Sequence, residues 1–137
     1  MGNDARAMVK NPLEGRRILV VEDEYYLAED LAEAIRAAGG EVVGPVGNLA
    51  EAEDRVAQGG FDCAVLDMNL RGEFVFPVAR RLEGVGVPFV VTTGYSSGAL
   101  PFELERHRRI DKPFDQQKVV EAVTRMLGEA SPAVTSI

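Results

Sequence analysis

The sequence predicts a doubly wound α/β domain, a five-stranded parallel sheet of order 2-1-3-4-5 with helices on both faces. Three observations predict it. Strand-like and helix-like segments alternate five times, the pattern of parallel strands joined by crossover helices. The first, third and fourth strand segments are continuous apolar runs without alternation, which suits strands buried on both faces. The second ends in a proline and the fifth is rich in charge, which suits the two edges of the sheet. In that order strands one and three are neighbours. The crevice between them opens at Asp23 and Asp67, where ligands of open α/β sheets bind.

Residues 1–15 carry Gly2, Pro12 and Gly15 among polar neighbours and read as a flexible arm, ahead of a domain over 16–129 and a tail over 130–137. Strand one runs from Arg17 to Glu22 on Ile18, Leu19, Val20 and Val21. The first helix places Leu27, Leu31, Ile35 and Ala38 on one stripe and stops at Gly39-Gly40. Strand two is Glu41 to Pro45, and Asn48 with Glu51 three residues on marks the start of a helix. That second helix buries Leu49, Ala52 and Val56 and ends at Gly59-Gly60. Strand three is Asp62 to Asp67, and a loop from Met68 to Glu73 leads to a third helix over about Phe76 to Leu82. Pro77 is tolerable there only in the first turn. Strand four is Pro88 to Thr92, followed by a loop from Gly94 to Gly98 and a short fourth helix over Pro101 to Arg106. Strand five is Arg108 to Asp111. Asp115 caps the last helix, Phe114 can staple to Val119, and Val119, Val120, Val123 and Leu127 form its buried face.

Composition narrows the function classes. A chain of 137 residues, 46% hydrophobic and 27% charged, can bury the core of one globular domain. A net charge of -7 argues against nonspecific nucleic-acid binding, which needs a basic footprint. The apolar run from Val85 to Thr92 is broken by Gly86 and Pro88 and is too short to span a membrane. Residues 1–10 lack the apolar core of a signal peptide, and Arg6 spoils the myristoylation motif that Met1-Gly2 invites. The single Cys63 precedes an apolar run and reads as a buried thiol in a reducing compartment, so the expected location is cytoplasmic.

Four polar segments sit at strand ends: Glu22-Asp23, Asp67, Thr93-Gly94 and Lys112-Pro113. Asp67 is the nucleophile candidate, because a carboxylate can accept a phosphoryl group as an acyl phosphate. Glu22 and Asp23 are metal candidates: clustered carboxylates repel one another unless a cation neutralises them, and an all-oxygen set suits Mg²⁺. Lys112 can place its ammonium over phosphoryl oxygens, and Thr93 can donate its hydroxyl to another. Gly94 lets backbone approach closely, and a cis bond before Pro113 would orient Lys112.

With these pieces the chain resembles the receiver domain of two-component response regulators, a flavodoxin-like fold, over roughly residues 16–129. The matching residues are Ile18-Leu19-Val20-Val21-Glu22-Asp23-Glu24, Val65-Leu66-Asp67, Thr93-Gly94 and Lys112-Pro113-Phe114. The resemblance implies that Asp67 is phosphorylated from the phosphohistidine of a sensor histidine kinase or phosphotransfer protein. It also implies that Glu22, Asp23, Asp67 and the backbone carbonyl of Asn69 arrange Mg²⁺, with Thr93 and Lys112 as sensing hydroxyl and ammonium. Receivers also catalyse their own dephosphorylation, without being conventional enzymes. No output domain is read after Glu129, so output falls to contact with a downstream protein or to competition for phosphate. A pseudo-receiver that only binds is disfavoured by the retained Asp67 and Lys112. A haloacid-dehalogenase-type phosphatase wants a second Asp where Asn69 stands, and a cap domain.

The departures from the family pattern concern readout. Arg71 and Gly72 stand where Pro is frequent four residues after the phosphoacceptor, and Arg109 stands at the usual aromatic switch position. Pro88 to Tyr95 is similar to a receiver branch with the signature Phe-Ala-Thr-Gly-Tyr, with Val91 and Thr92 in place of its first two residues. Tyr95 is either a lid on the core or a substitute switch. The basic run Arg106 to Arg109 is either a solvated edge or a docking patch for an acidic partner. His107 within it reads as an exposed helix-end residue rather than a phosphoacceptor.

Overall fold

The computed structural model describes residues 11–94 and 108–130. Its main sheet comprises β1 (Arg17–Val21), β2 (Glu41–Val46), β3 (Cys63–Asp67), β6 (Phe89–Thr93) and β7 (Arg109–Asp111), in the order β2-β1-β3-β6-β7 with every pairing parallel. This is the predicted 2-1-3-4-5 arrangement, with β6 and β7 as its fourth and fifth strands. The helices are α1 (Tyr25–Ala37), α2 (Leu49–Gln58), α3 (Phe76–Gly84) and α4 (Gln116–Ala130). The expected helix over Pro101 to Arg106, together with Tyr95, Arg106 and His107, lies outside the described residues.

The continuous apolar runs feed two cores at once. On β1, Leu19 and Val21 pack with α2 and α3, while Ile18 and Val20 pack with α1 and α4. Strands β3 and β6 divide their residues the same way, with Ala64, Leu66, Phe89 and Val91 on one side and Cys63, Val65 and Val90 on the other. Every residue of β3 and β6 is buried. Burying each Val or Leu of this kind stabilises the fold by about 1.5–3 kcal/mol before entropy is counted. Burial also raises the Cys63 thiol to about 12, so it stays protonated.

Local chemistry sets the element boundaries. Asn48 caps α2 through Oδ1, which accepts from the Glu51 N–H at 2.8 Å, and Asp115 Oδ1 accepts from the Gln117 N–H at the start of α4. Edge strand β2 carries Gly44 at φ 96° before Pro45, and its register to β1 shifts there. A Cβ at position 44 would lie 3.0 Å from the Val20 carbonyl oxygen, so glycine suits this irregular edge.

Two features differ from the sequence reading. Residues 11–15 of the expected arm form turns that seat Leu13 fully buried beside Ile35 and Val123, with its N–H donating to the Ala38 carbonyl at 2.9 Å. An isolated leucine among polar neighbours shows no periodicity, so its docking is a tertiary effect. The expected loop from Met68 to Glu73 contains a hairpin, β4 (Asn69–Leu70) with β5 (Glu73–Phe74), closed by Arg71-Gly72.

Candidate functional site

Strands β1 and β3 end side by side, and the residues just past β1 and at the end of β3 build the site. The Glu22 N–H donates to the Val46 carbonyl at 2.9 Å, so β2 pins the chain just past β1. The Met68 N–H donates to the Thr92 carbonyl at 2.9 Å, pinning the chain just past Asp67. The chain then turns. Glu22 Oε2 accepts from the Glu24 N–H at 3.0 Å and Asp67 Oδ1 from the Asn69 N–H at 3.2 Å. These short bonds orient carboxylates that are only 3% and 4% exposed.

One oxygen each from Glu22, Asp23 and Asp67 lies within 4.8 Å of the others. Lys112 Nζ reaches into this group, 3.0 Å from Asp67 Oδ2 and 3.3 Å from Glu22 Oε1. The lysine is aimed from the edge of the sheet: β6 pairs with β7, and the Lys112 N–H donates to the Thr93 carbonyl at 2.7 Å. The Lys112–Pro113 peptide bond is cis. A groove of about 400 Å³, lined by Glu24, Leu27, Gly94, Lys112, Pro113 and Phe114, opens beside the ammonium.

The charges shift one another. Burial, and then the charge on Asp67, raise Glu22 from 4.5 to about 8 against the opposing pull of the Glu24 N–H and Lys112. Burial lowers the Lys112 ammonium, but the carboxylates of Asp67 and Glu22 outweigh it and hold the lysine above its usual value. Glu22 Oε1 accepts no hydrogen bond among the described residues although it is buried. A buried oxygen with an ion pair to Lys112 but no hydrogen bond, in an all-carboxylate set, is donor chemistry that a hard divalent cation fits.

The remaining predicted residues fall around this centre. Thr93 is the last residue of β6, buried, and its hydroxyl donates to Asp111 Oδ1 at 2.9 Å. Arg109 Nε lies 3.5 Å from the same oxygen. Asn69 opens β4, two residues past Asp67, with its side-chain oxygen accepting from the Gly72 N–H. Two residues were missed in the sequence reading of the site. Asp111 faces Thr93 across the β6–β7 register, a pairing that no local pattern announces. Arg71 Nε lies 3.7 Å from Asp23 Oδ2, and its signal was the Arg71-Gly72 pair closing a two-residue hairpin.

Comparison with known proteins gives concordant results. A family model described as the response regulator receiver domain matches residues 18–124. The chain is 29% identical over 113 residues to the sensory transduction protein LytT of Bacillus subtilis, covering 80% of this chain and 47% of that protein. It spans about half the length of the curated relatives it matches. The solution structure of SdrG from Sphingomonas melonis superposes with a TM-score of 0.70 at 39% identity, covering 85% of this chain and 98% of that one. The crystal structure of the response regulator TrrA from Thermotoga maritima, in complex with Mg²⁺ and BeF, gives 0.65 at 26% identity, covering 80% and 97%.

Proposed function

Because the chain belongs to the response regulator receiver domain family, we propose that Asp67 accepts a phosphoryl group from the phosphohistidine of a sensor histidine kinase or phosphotransfer protein. The observation that carries this reading is the convergence of Lys112 Nζ on Asp67 Oδ2 at 3.0 Å within the carboxylate cluster. A carboxylate oxygen of Asp67 forms the new bond to phosphorus as the phosphorus–nitrogen bond breaks, and the imidazole leaves with the electron pair. Lys112 neutralises charge on the phosphoryl oxygens in a largely buried setting. Glu22, Asp23, Asp67 and the Asn69 backbone carbonyl would hold Mg²⁺, which supplies further positive charge against those oxygens. The TrrA complex with Mg²⁺ and BeF supports this assignment by similarity. Water attack on the phosphorus of the acyl phosphate breaks the bond from the Asp67 oxygen to phosphorus, releases inorganic phosphate, returns the carboxylate and ends the signal.

Readout starts at Thr93. Its hydroxyl donates to Asp111, so turning toward a phosphoryl oxygen costs that bond and releases the carboxylate that Arg109 also contacts. A polar chain therefore stands where an aromatic ring is usual, and a change at Thr93 would pass through it to the edge strand β7. Output is by contact with a downstream protein or by drawing phosphate from a shared donor in the cytoplasm.

Incubation with acetyl phosphate and Mg²⁺, read by intact mass, tests the chemistry. Wild type gains one phosphoryl group and Asp67→Asn gains none. A wild type that gains nothing would point instead to a binding module without phosphotransfer.

A further inference from the structure

The hairpin after β3 directs an arginine at the acidic cluster. Arg71 at φ 52° and Gly72 at φ 90° occupy the two left-handed positions of its loop, and Leu70 pairs with Glu73 across it. Asn69 Oδ1 accepts from the Gly72 N–H at 2.6 Å and ties the loop to its base. Glycine is at ease in such a conformation, whereas arginine is rare there. Arg71 is the only non-glycine residue with positive φ among the described residues. The hairpin thus sets the direction of the side chain, which ends 3.7 Å from Asp23 Oδ2.

The cations divide the cluster between them. Lys112 contacts Glu22 and Asp67, and Arg71 contacts Asp23. Asp23 has no other ion-pair partner among the described residues. The two contacts also differ in character. The Lys112 side chain is 19% exposed, whereas that of Arg71 is 78% exposed and stands in water. A hydrated guanidinium can leave at small cost, and a divalent cation arriving at Asp23 would repel it.

We propose that Arg71 is a positioning residue that competes with the divalent cation for Asp23, so that the chain itself lowers the metal affinity of its phosphoryl site. The inference rests on reading Glu22, Asp23 and Asp67 as Mg²⁺ ligands. The guanidinium holds Asp23 while the site is metal-free, and swings into solvent when the ion takes the carboxylate. Because an exposed ion pair is weak, the effect on affinity is roughly two- to five-fold.

Calorimetric titration with MgCl₂ tests it on wild type, Arg71→Ala, Arg71→Lys and Arg81→Ala. Arg81 is exposed in the last turn of α3, whose far end runs away from the site, and serves as the control for long-range charge. Arg71→Ala should bind Mg²⁺ roughly two- to five-fold more tightly than wild type. Arg71→Lys, which keeps a cation, should stay closer to wild type, and Arg81→Ala should match it. Equal or weaker binding by Arg71→Ala overturns the competition, as does an equal gain in Arg81→Ala. Failure of wild type and Arg71→Ala alike to bind Mg²⁺ overturns the reading of the metal site as well.

Discussion

The ends of the central strands and the edge strand hold their charges in opposite ways. Glu22 and Asp67 lie just past β1 and at the end of β3, strands with neighbours on both sides, and both are almost fully buried. At β7, three residues long and paired on one side to β6, the Arg109–Asp111 contact joins side chains 28% and 65% exposed. Breaking a buried ion pair by removing one partner costs about 3–5 kcal/mol, whereas an exposed pair contributes about 0–1 kcal/mol. The central ends therefore hold their carboxylates still, as the proposed phosphoryl transfer requires. The edge can rearrange for little free energy, which suits the readout proposed for it. Thr93 joins the two regions: its carbonyl accepts from the Lys112 N–H and its hydroxyl donates to Asp111.

The contrast can be broken most severely at Lys112. Lys112→Ala removes the cation that Glu22 and Asp67 share, and chemical denaturation should show a loss of about 3 kcal/mol above pH 8, the low end of the buried-pair range because the Lys112 side chain is 19% exposed. The loss should shrink at lower pH, where Glu22 takes up a proton. Glu22 itself shows as a dependence on pH rather than a fixed loss. Its folded-state value is raised from 4.5 to about 8, so its contribution to stability is fully present below 4.5 and is lost as pH rises through about 8. Urea titrations of metal-free protein across that window should show wild type weakening with pH and Glu22→Gln weakening less. Parallel slopes would mean that the central end is less strictly desolvated than its burial indicates. The smallest effect belongs to the edge. Asp111→Ala should change stability by no more than about 1 kcal/mol, and a larger loss would place the edge with the rigid region.

How much of this was legible in the sequence follows the same division. The apolar runs of β1, β3 and β6 announced central strands because burial on both faces leaves no polar alternation. Their ends therefore announced Glu22, Asp23 and Asp67 as neighbours. The caps Asn48 and Asp115 and the edge signal at Pro45 were local chemistry and equally readable. The partnership of Thr93 with Asp111 was not, because it depends on the register between strands separated by the segment 94–108. Arg71 was noticed only as a departure from a family pattern. Its hairpin strands are two residues each, too short to show a period, and only the folded turn aims the side chain at Asp23.

The most direct test of a rigid chemical end coupled to a yielding edge is amide NMR of labelled protein in Mg²⁺, before and after beryllofluoride, a mimic of the phosphoryl group. Large shifts are expected at Thr93, Gly94 and residues 108–111, with small ones along β2, and Asp111→Ala should reduce the response at Arg109. Shifts confined to residues 22–24 and 67–69, with the edge unchanged, would contradict the account.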